Sequence, residues 1–222
     1  MPMEDKLYSD PTELQFENQK YRLTQMAEQA MEEMNYETAA NYKEEIACIC
    51  HNQGKERDAY LLEHSAYELR QLHIYHIANF DVSFFRPDET PNVEIMKSAL
   101  IELASSNKEN ESKALFSFFT DTNLQICQAQ GKERDAYLLK CELQKNSNTV
   151  PLSKSETEEA YQAIKRIYYI HAASSAQDND KNFNKAYDYL WKAIAAGWKQ
   201  GYRYIADYHY YGRIDQPNLK EA

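Results

Sequence analysis

QGKERDAYLL stands at Gln53–Leu62 and again, unchanged, at Gln130–Leu139, an offset of 77 residues (53 to 130). Ten successive identities do not arise by chance, so one structural device is used twice. Gly54 and Gly131 are suited to end a helix, because glycine adopts the left-handed backbone that closes one. The acids that follow suit the first turn of a new helix. Ala59 and Ala136 then permit close approach of a neighbour, and Leu62 and Leu139 fill the next turn. Just upstream, Ile49 matches Ile126 and Cys50 matches Cys127. Each copy therefore reads as helix, glycine, helix. A single hairpin of this kind cannot bury its apolar face alone, so hairpins must stack.

Composition agrees with a helical chain. In 222 residues there are 5 glycines and 6 prolines, too few for the turns of an all-β fold. The formal charge of −10 disfavours non-specific binding to nucleic acid or acidic membranes. No run of residues is long and apolar enough to span a bilayer. The opening MPMEDKLYSDPTE lacks the basic and apolar parts of a signal peptide. Cys48, Cys50, Cys127 and Cys141 show neither disulfide-framework nor zinc spacing, which points to a reducing, cytoplasmic setting. A secreted effector without a classical signal would look the same.

Periodicity divides the chain. Residues 1–11 form a polar lead-in, and Asp10-Pro11-Thr12-Glu13 opens a helix that runs to about Met34. A second helix starts near Asn35 and stops at Gly54, and a third follows at once. FDVSFFRPDETP interrupts with two prolines and aromatics. Helices resume at Pro91, at Glu109 and after Gly131. Residues 147–154 read as a linker. Beyond it come SETEEAYQAIKRIYYIHAASS, a polar loop AQDNDKN, then NFNKAYDYLWKAIAAG and GYRYIADYHYYG. Eight to ten helices and no strand are expected.

These residues resemble known repeat families. GKERDAYLL, with Ala47 in the helix before it, is similar to the tetratricopeptide repeat, although Cys50 and Cys127 stand where that family places an aromatic. The C-terminal part resembles the SEL-type repeat: Lys185-Ala186, Lys192-Ala193 and Gly197 fit one half of its pattern. Gly201, Ile205-Ala206, His209 and Gly212 fit the next, with Gly201 in place of alanine and His209 in place of tyrosine. Ala222 falls in register, with Glu221 replacing a lysine. A local competitor exists, since MEEMNYETAANYKEEIACI also resembles the short UVR hairpin of excision-repair proteins. The resemblance implies an all-α fold, an α-solenoid of stacked antiparallel helical hairpins. Residues 12–146 would be tetratricopeptide-like and residues 155–222 SEL-like, continuous in one solenoid. It also implies a protein-interaction scaffold or adaptor and not an enzyme. The last hairpin, ending at Glu221-Ala222, is expected to leave an apolar face exposed.

Candidate chemistry is sparse. His73 and His76 share a helix face but lack two further ligands, so no metal site is expected. Asp178-Asn179-Asp180 opens like a calcium loop but lacks its glycine and closing glutamate, and reads as a polar turn. No phosphate loop, nucleophile elbow or HExxH is present, and no cofactor is implied. The identical charges in the repeated block have two readings: duplication without divergence, or equivalent contact patches at Lys55/Arg57 and Lys132/Arg134.

Aromatic residues carry more information. Residues 160–213 hold 10 of the 18 tyrosines and both tryptophans, with eight Lys/Arg against four Asp. Residues 1–159 hold 16 basic and 29 acidic residues. In tetratricopeptide-type hairpins the first helix lines the concave groove. Carried onto this chain, its groove positions are Glu159, Gln162, Arg166 and Tyr169, then Gln200, Arg203, Asp207 and Tyr210. Arg166, Tyr169, Arg203 and Tyr210 are thus the candidate partner-binding residues, for an acidic peptide or acidic protein surface. The plain alternative packs both tyrosines between helices and pairs the arginines with local acids. A nucleic-acid binder using the aromatic, basic end is the second functional class. An enzyme with a site assembled only on folding is the third.

Overall fold

A computed structural model describes residues 11–85, 89–109, 112–145 and 151–214. Among them lie nine α-helices and no strand: α1 (Pro11–Glu32), α2 (Tyr36–Asn52), α3 (Glu56–Ile77), α4 (Val93–Glu109), α5 (Lys113–Ala129), α6 (Glu133–Lys145), α7 (Lys154–Asp178), α8 (Phe183–Ala195) and α9 (Gly201–Tyr210). None of these helices is long and apolar enough to cross a membrane. The chain forms two compact units, Met1–Ile74 and Tyr75–Ala222; α1 packs on α2 in the first, and α4 on α5, α5 on α6, α7 on α8 and α8 on α9 in the second.

In the first unit α1, α2 and α3 share a core of Leu23, Ile46, Ala47, Ile49, Cys50 and Ala59. A second cluster joins Ala30, Ala39, Ala40, Ala66 and Leu69. Six of those eleven side chains are alanine, so backbones approach closely and the contact is tolerant of little added volume. Ala59 is fully buried there, as the repeat alignment requires, and Ala136 is buried in the corresponding cluster with Leu124 and Cys127.

The repeated block has the same geometry in both places. Gly54 and Gly131 sit at φ +69° and +68°. The amide of Gly54 donates to the carbonyl of His51 and that of Lys55 to Cys50; Gly131 and Lys132 do the same toward Gln128 and Cys127. These bonds satisfy carbonyls that a helix end otherwise leaves open. Any side chain at φ near +70° is strained, which fixes glycine at both turns.

The copies extend further than the ten identities. Gln53 and Lys55 both donate to Oε1 of Glu17 on α1, at 3.3 and 3.0 Å, and lie 36 and 38 residues beyond it. Gln130 and Lys132 both donate to Oε1 of Glu94 on α4, at 2.9 and 2.7 Å, again 36 and 38 residues on. Lys20 pairs with Glu17 and Lys97 with Glu94, each one turn along. The repeating unit is therefore three helices, α1–α2–α3 and α4–α5–α6, and the glutamine and lysine of the block clasp a glutamate on its first helix. Lys55 and Lys132 have this structural task whatever else they do.

In the second unit α7 packs on α4 as well as on α8. The Asn92 amide donates to the Tyr168 hydroxyl at 2.9 Å, and His171 Nε2 meets Glu102 at 2.8 Å. Phe84, Phe85, Tyr161 and Tyr168 form a chain of edge and tilted ring contacts under the interrupting segment. Ser153 caps α7 in a reciprocal pair with Glu156, so Lys154 belongs to the helix. Residues 147–150 of the expected linker lie outside the described residues, as do residues 1–10 of the lead-in and the chain end at Glu221-Ala222. The helix also runs on through Ala176-Gln177-Asp178, which the sequence reads as loop. Ala176 is buried against α8 and α9, and that contact holds the last turn. Asn182 then caps α8 by accepting from the Lys185 amide, so Asn179-Asp180-Lys181 form the turn, while Asp178 belongs to α7.

Candidate partner-binding surface

Glu159, Gln162 and Arg166 of α7 border a cavity of about 780 Å³ whose other wall includes Leu103 of α4 and Phe119 of α5. Among the described residues Arg166 is the one cation lining it, and Glu156, Glu158 and Glu159 line it with carboxylates. Ser153 holds the Glu156 carboxyl below the usual range by hydrogen bonding, so that charge persists. The Arg166 guanidinium also reaches the turn after α8, where a methyl group on Gly197 would lie 3.8 Å from its Nη1.

Tyr169 is placed differently. It is 1% exposed, and its hydroxyl donates to Glu89 Oε2 at 3.1 Å. Lys192 donates to the same oxygen at 3.0 Å and lies over the rings of Tyr169 and Tyr189, 5.6 and 5.1 Å from their centroids. The two rings are stacked at 6.2 Å. Tyr169 thus packs between α7 and α8 with almost no exposed area. Lys192, read in the sequence only as part of a repeat pattern, anchors this cluster.

On α9 Arg203 is exposed and Tyr210 is 83% exposed. Tyr202, Tyr204 and Tyr211 are exposed beside them, and Trp191 of α8 meets Tyr202 edge-on at 6.0 Å. Tyr168 and Tyr208 are buried, so the tyrosines divide between core and surface. Among the described residues no ion pair is formed by Arg166 or Arg203. Trp191, Tyr202 and Tyr204 are the surface residues the groove pattern missed. The signal for them was the run of aromatics within a segment lacking glutamate.

Glycine at position 201 has a steric reason. An alanine Cβ there would come within 2.5 Å of Ile194 Cγ1 and 2.8 Å of the Trp198 ring. Glycine lets α9 start against α8 at this distance.

Other candidate chemistry is absorbed by packing and pairing. His73 meets Glu37 at 3.1 Å. Among the described residues no cluster of three or more His, Cys, Asp or Glu is arranged to hold a metal. All four cysteines are free, and burial pushes the Cys127 thiol up, away from a reactive thiolate.

Compared with known proteins, the chain matches no family model, no curated protein and no solved structure.

Proposed function

We propose that this protein is an interaction scaffold or adaptor of the helical-repeat, solenoid-forming kind, working in a reducing compartment. Its C-terminal helices bind an acidic peptide or acidic protein surface. The supporting observation is the surface of α9 and the end of α8: exposed Tyr202, Tyr204 and Tyr210 around exposed Arg203, next to exposed Trp191. Interface centres are enriched in tyrosine, tryptophan and arginine. Residues 160–213 carry no glutamate and an excess of four positive charges, which favours an acidic ligand there over the rest of the chain. Arg203 and Tyr210 are the direct contacts. Arg166 contributes from beside the Gly197 turn, weakened by the three glutamates of its cavity. Tyr169 supports the surface from below through Lys192 and Glu89.

The test uses a fluorescent peptide of glutamates interleaved with leucines. Arg203→Ala combined with Arg166→Ala should weaken binding at least threefold, and most of the loss should follow Arg203. A smaller change in the folded double variant contradicts the reading. A single-stranded oligonucleotide of equal charge serves as the second probe. Tighter binding to it than to the peptide would favour nucleic acid, since stacked and exposed aromatics suit bases as well.

A further inference from the structure

The clasp and the helix turn account for Gln53, Gly54 and Lys55 of the repeated block, and the core accounts for Ala59 and Leu62. They leave Arg57, Tyr60 and Leu61 unexplained. These sit at steps of three and four, on the face of α3 opposite Ala59, Leu62 and Ala66. Tyr60 is 64% and Leu61 56% exposed; Tyr137 and Leu138 in the second copy are 68% and 55% exposed. Arg57 and Arg134 are exposed too. Four large apolar side chains are thus held largely in water, in matched pairs; within its own helix Tyr60 meets the His64 ring, at 6.4 Å, and Tyr137 the Cys141 thiol, and the core of the hairpin uses none of the four.

A duplication too recent to have diverged would carry its flanks with it. It has not: His51-Asn52 faces Gln128-Ala129, and Glu63-His64 faces Lys140-Cys141. Elsewhere the copies agree chiefly where the fold demands it, at Glu17/Glu94, Lys20/Lys97, Leu23/Leu100 and Cys50/Cys127. The exposed triad has been kept alike while its surroundings changed.

We propose that Arg57–Tyr60–Leu61 and Arg134–Tyr137–Leu138 are two equivalent docking patches through which the chain binds a second copy of itself. The block is complementary to its own copy. It carries a guanidinium and, one turn on, an aromatic ring and a leucine. In an antiparallel crossing of two such helices, the arginine of each lies over the tyrosine of the other and the leucines meet between them. Asp58 and Asp135, beside the arginines, supply opposite charge at the rim. A self-complementary contact ties the two blocks to one sequence, because a change in either must be answered in the block it meets.

The experiment is sedimentation equilibrium of the full chain from about 1 to about 300 μM, the range in which small interfaces associate. The wild type should shift toward dimers or larger species. Leu61→Glu and Leu138→Glu should weaken association to similar extents, and the double variant should stay monomeric throughout. Because both leucines are exposed, circular dichroism and melting should be unchanged, which confirms that the fold is intact. A wild type monomeric over the whole range overturns the proposal, and so does a double variant that associates like wild type. Single variants with sharply unequal effects show that the patches are not equivalent and overturn it as well. No partner is added, so the outcome is independent of acidic-peptide binding at α9.

Discussion

At the scale of single residues, the two copies differ at His51, whose charge responds to pH. His51 bonds Glu56 through Nδ1 at 2.8 Å and Glu63 through Nε2 at 3.0 Å. Its counterpart is Gln128. The Glu63 bond first, then Glu56, raises the His51 pKa above its ordinary value. A pKa raised by folding means the charged form is preferred in the folded state. The stabilisation is complete below the unfolded value of about 6.5 and is lost as pH rises through the higher folded value. His51→Gln should therefore lower the melting temperature more at acidic than at alkaline pH. An imidazole titration midpoint for His51 at or below that of the free side chain would contradict this. Glu17 behaves with the opposite sign. Lys20 first, then Lys55, holds its carboxyl down to about 2, so that contribution is present at neutral pH and fades as pH falls toward that value.

At the scale of helices, close packing around alanine is the constraint. Ala59 is fully buried among α1, α2 and α3, and Ala136 nearly so between α5 and α6. Leucine at either place overpacks the contact and should cost about 1–3 kcal/mol, with Ala59→Leu the worse. Urea denaturation with unchanged midpoints in both variants would show that the hairpins do not meet there. Gly201→Ala sets two effects against each other. Alanine gains at most about 1 kcal/mol of helix propensity, less at a first position. A Cβ 2.5 Å from Ile194 and 2.8 Å from a rigid indole must displace one of them. The clash should win by about 1–2 kcal/mol, seen as a lower unfolding midpoint by Trp198 fluorescence. The helices and their glycine turns were legible in the sequence because local chemistry sets them. The end of α7 was not, since Asp178 is helical through packing of Ala176 and not through propensity. The Glu17 and Glu94 clasps were within reach: the offset of 77 applied upstream of the block finds both glutamates and both lysines. Of the four proposed contact residues, Arg203 and Tyr210 lie on the surface and Arg166 borders a cavity. Tyr169 does not face solvent, because its helix position faces Glu89 and Lys192, residues the groove pattern did not take into account.

At the scale of the whole chain, charge is unevenly placed. Residues 1–159 carry 16 basic against 29 acidic side chains, and residues 160–213 carry eight against four. An acidic ligand meets two opposing influences. The net charge of −10 repels it at long range, and the cationic end attracts it close in. Salt separates the two, because screening acts first on distance. The screening length is about 30 Å at 0.01 M and about 10 Å at 0.1 M. Added salt should first remove the repulsion and speed association of the glutamate–leucine peptide, then screen the local attraction and slow it. The association rate should therefore pass through a maximum near about 0.1 M. Arg203→Ala should flatten the falling limb and leave the rising one, since it changes the local charge far more than the total. Stopped-flow fluorescence from low to high salt reads both limbs. A rate that only rises with salt would mean that the peptide meets no cationic surface, and the assignment to α9 would fall with it.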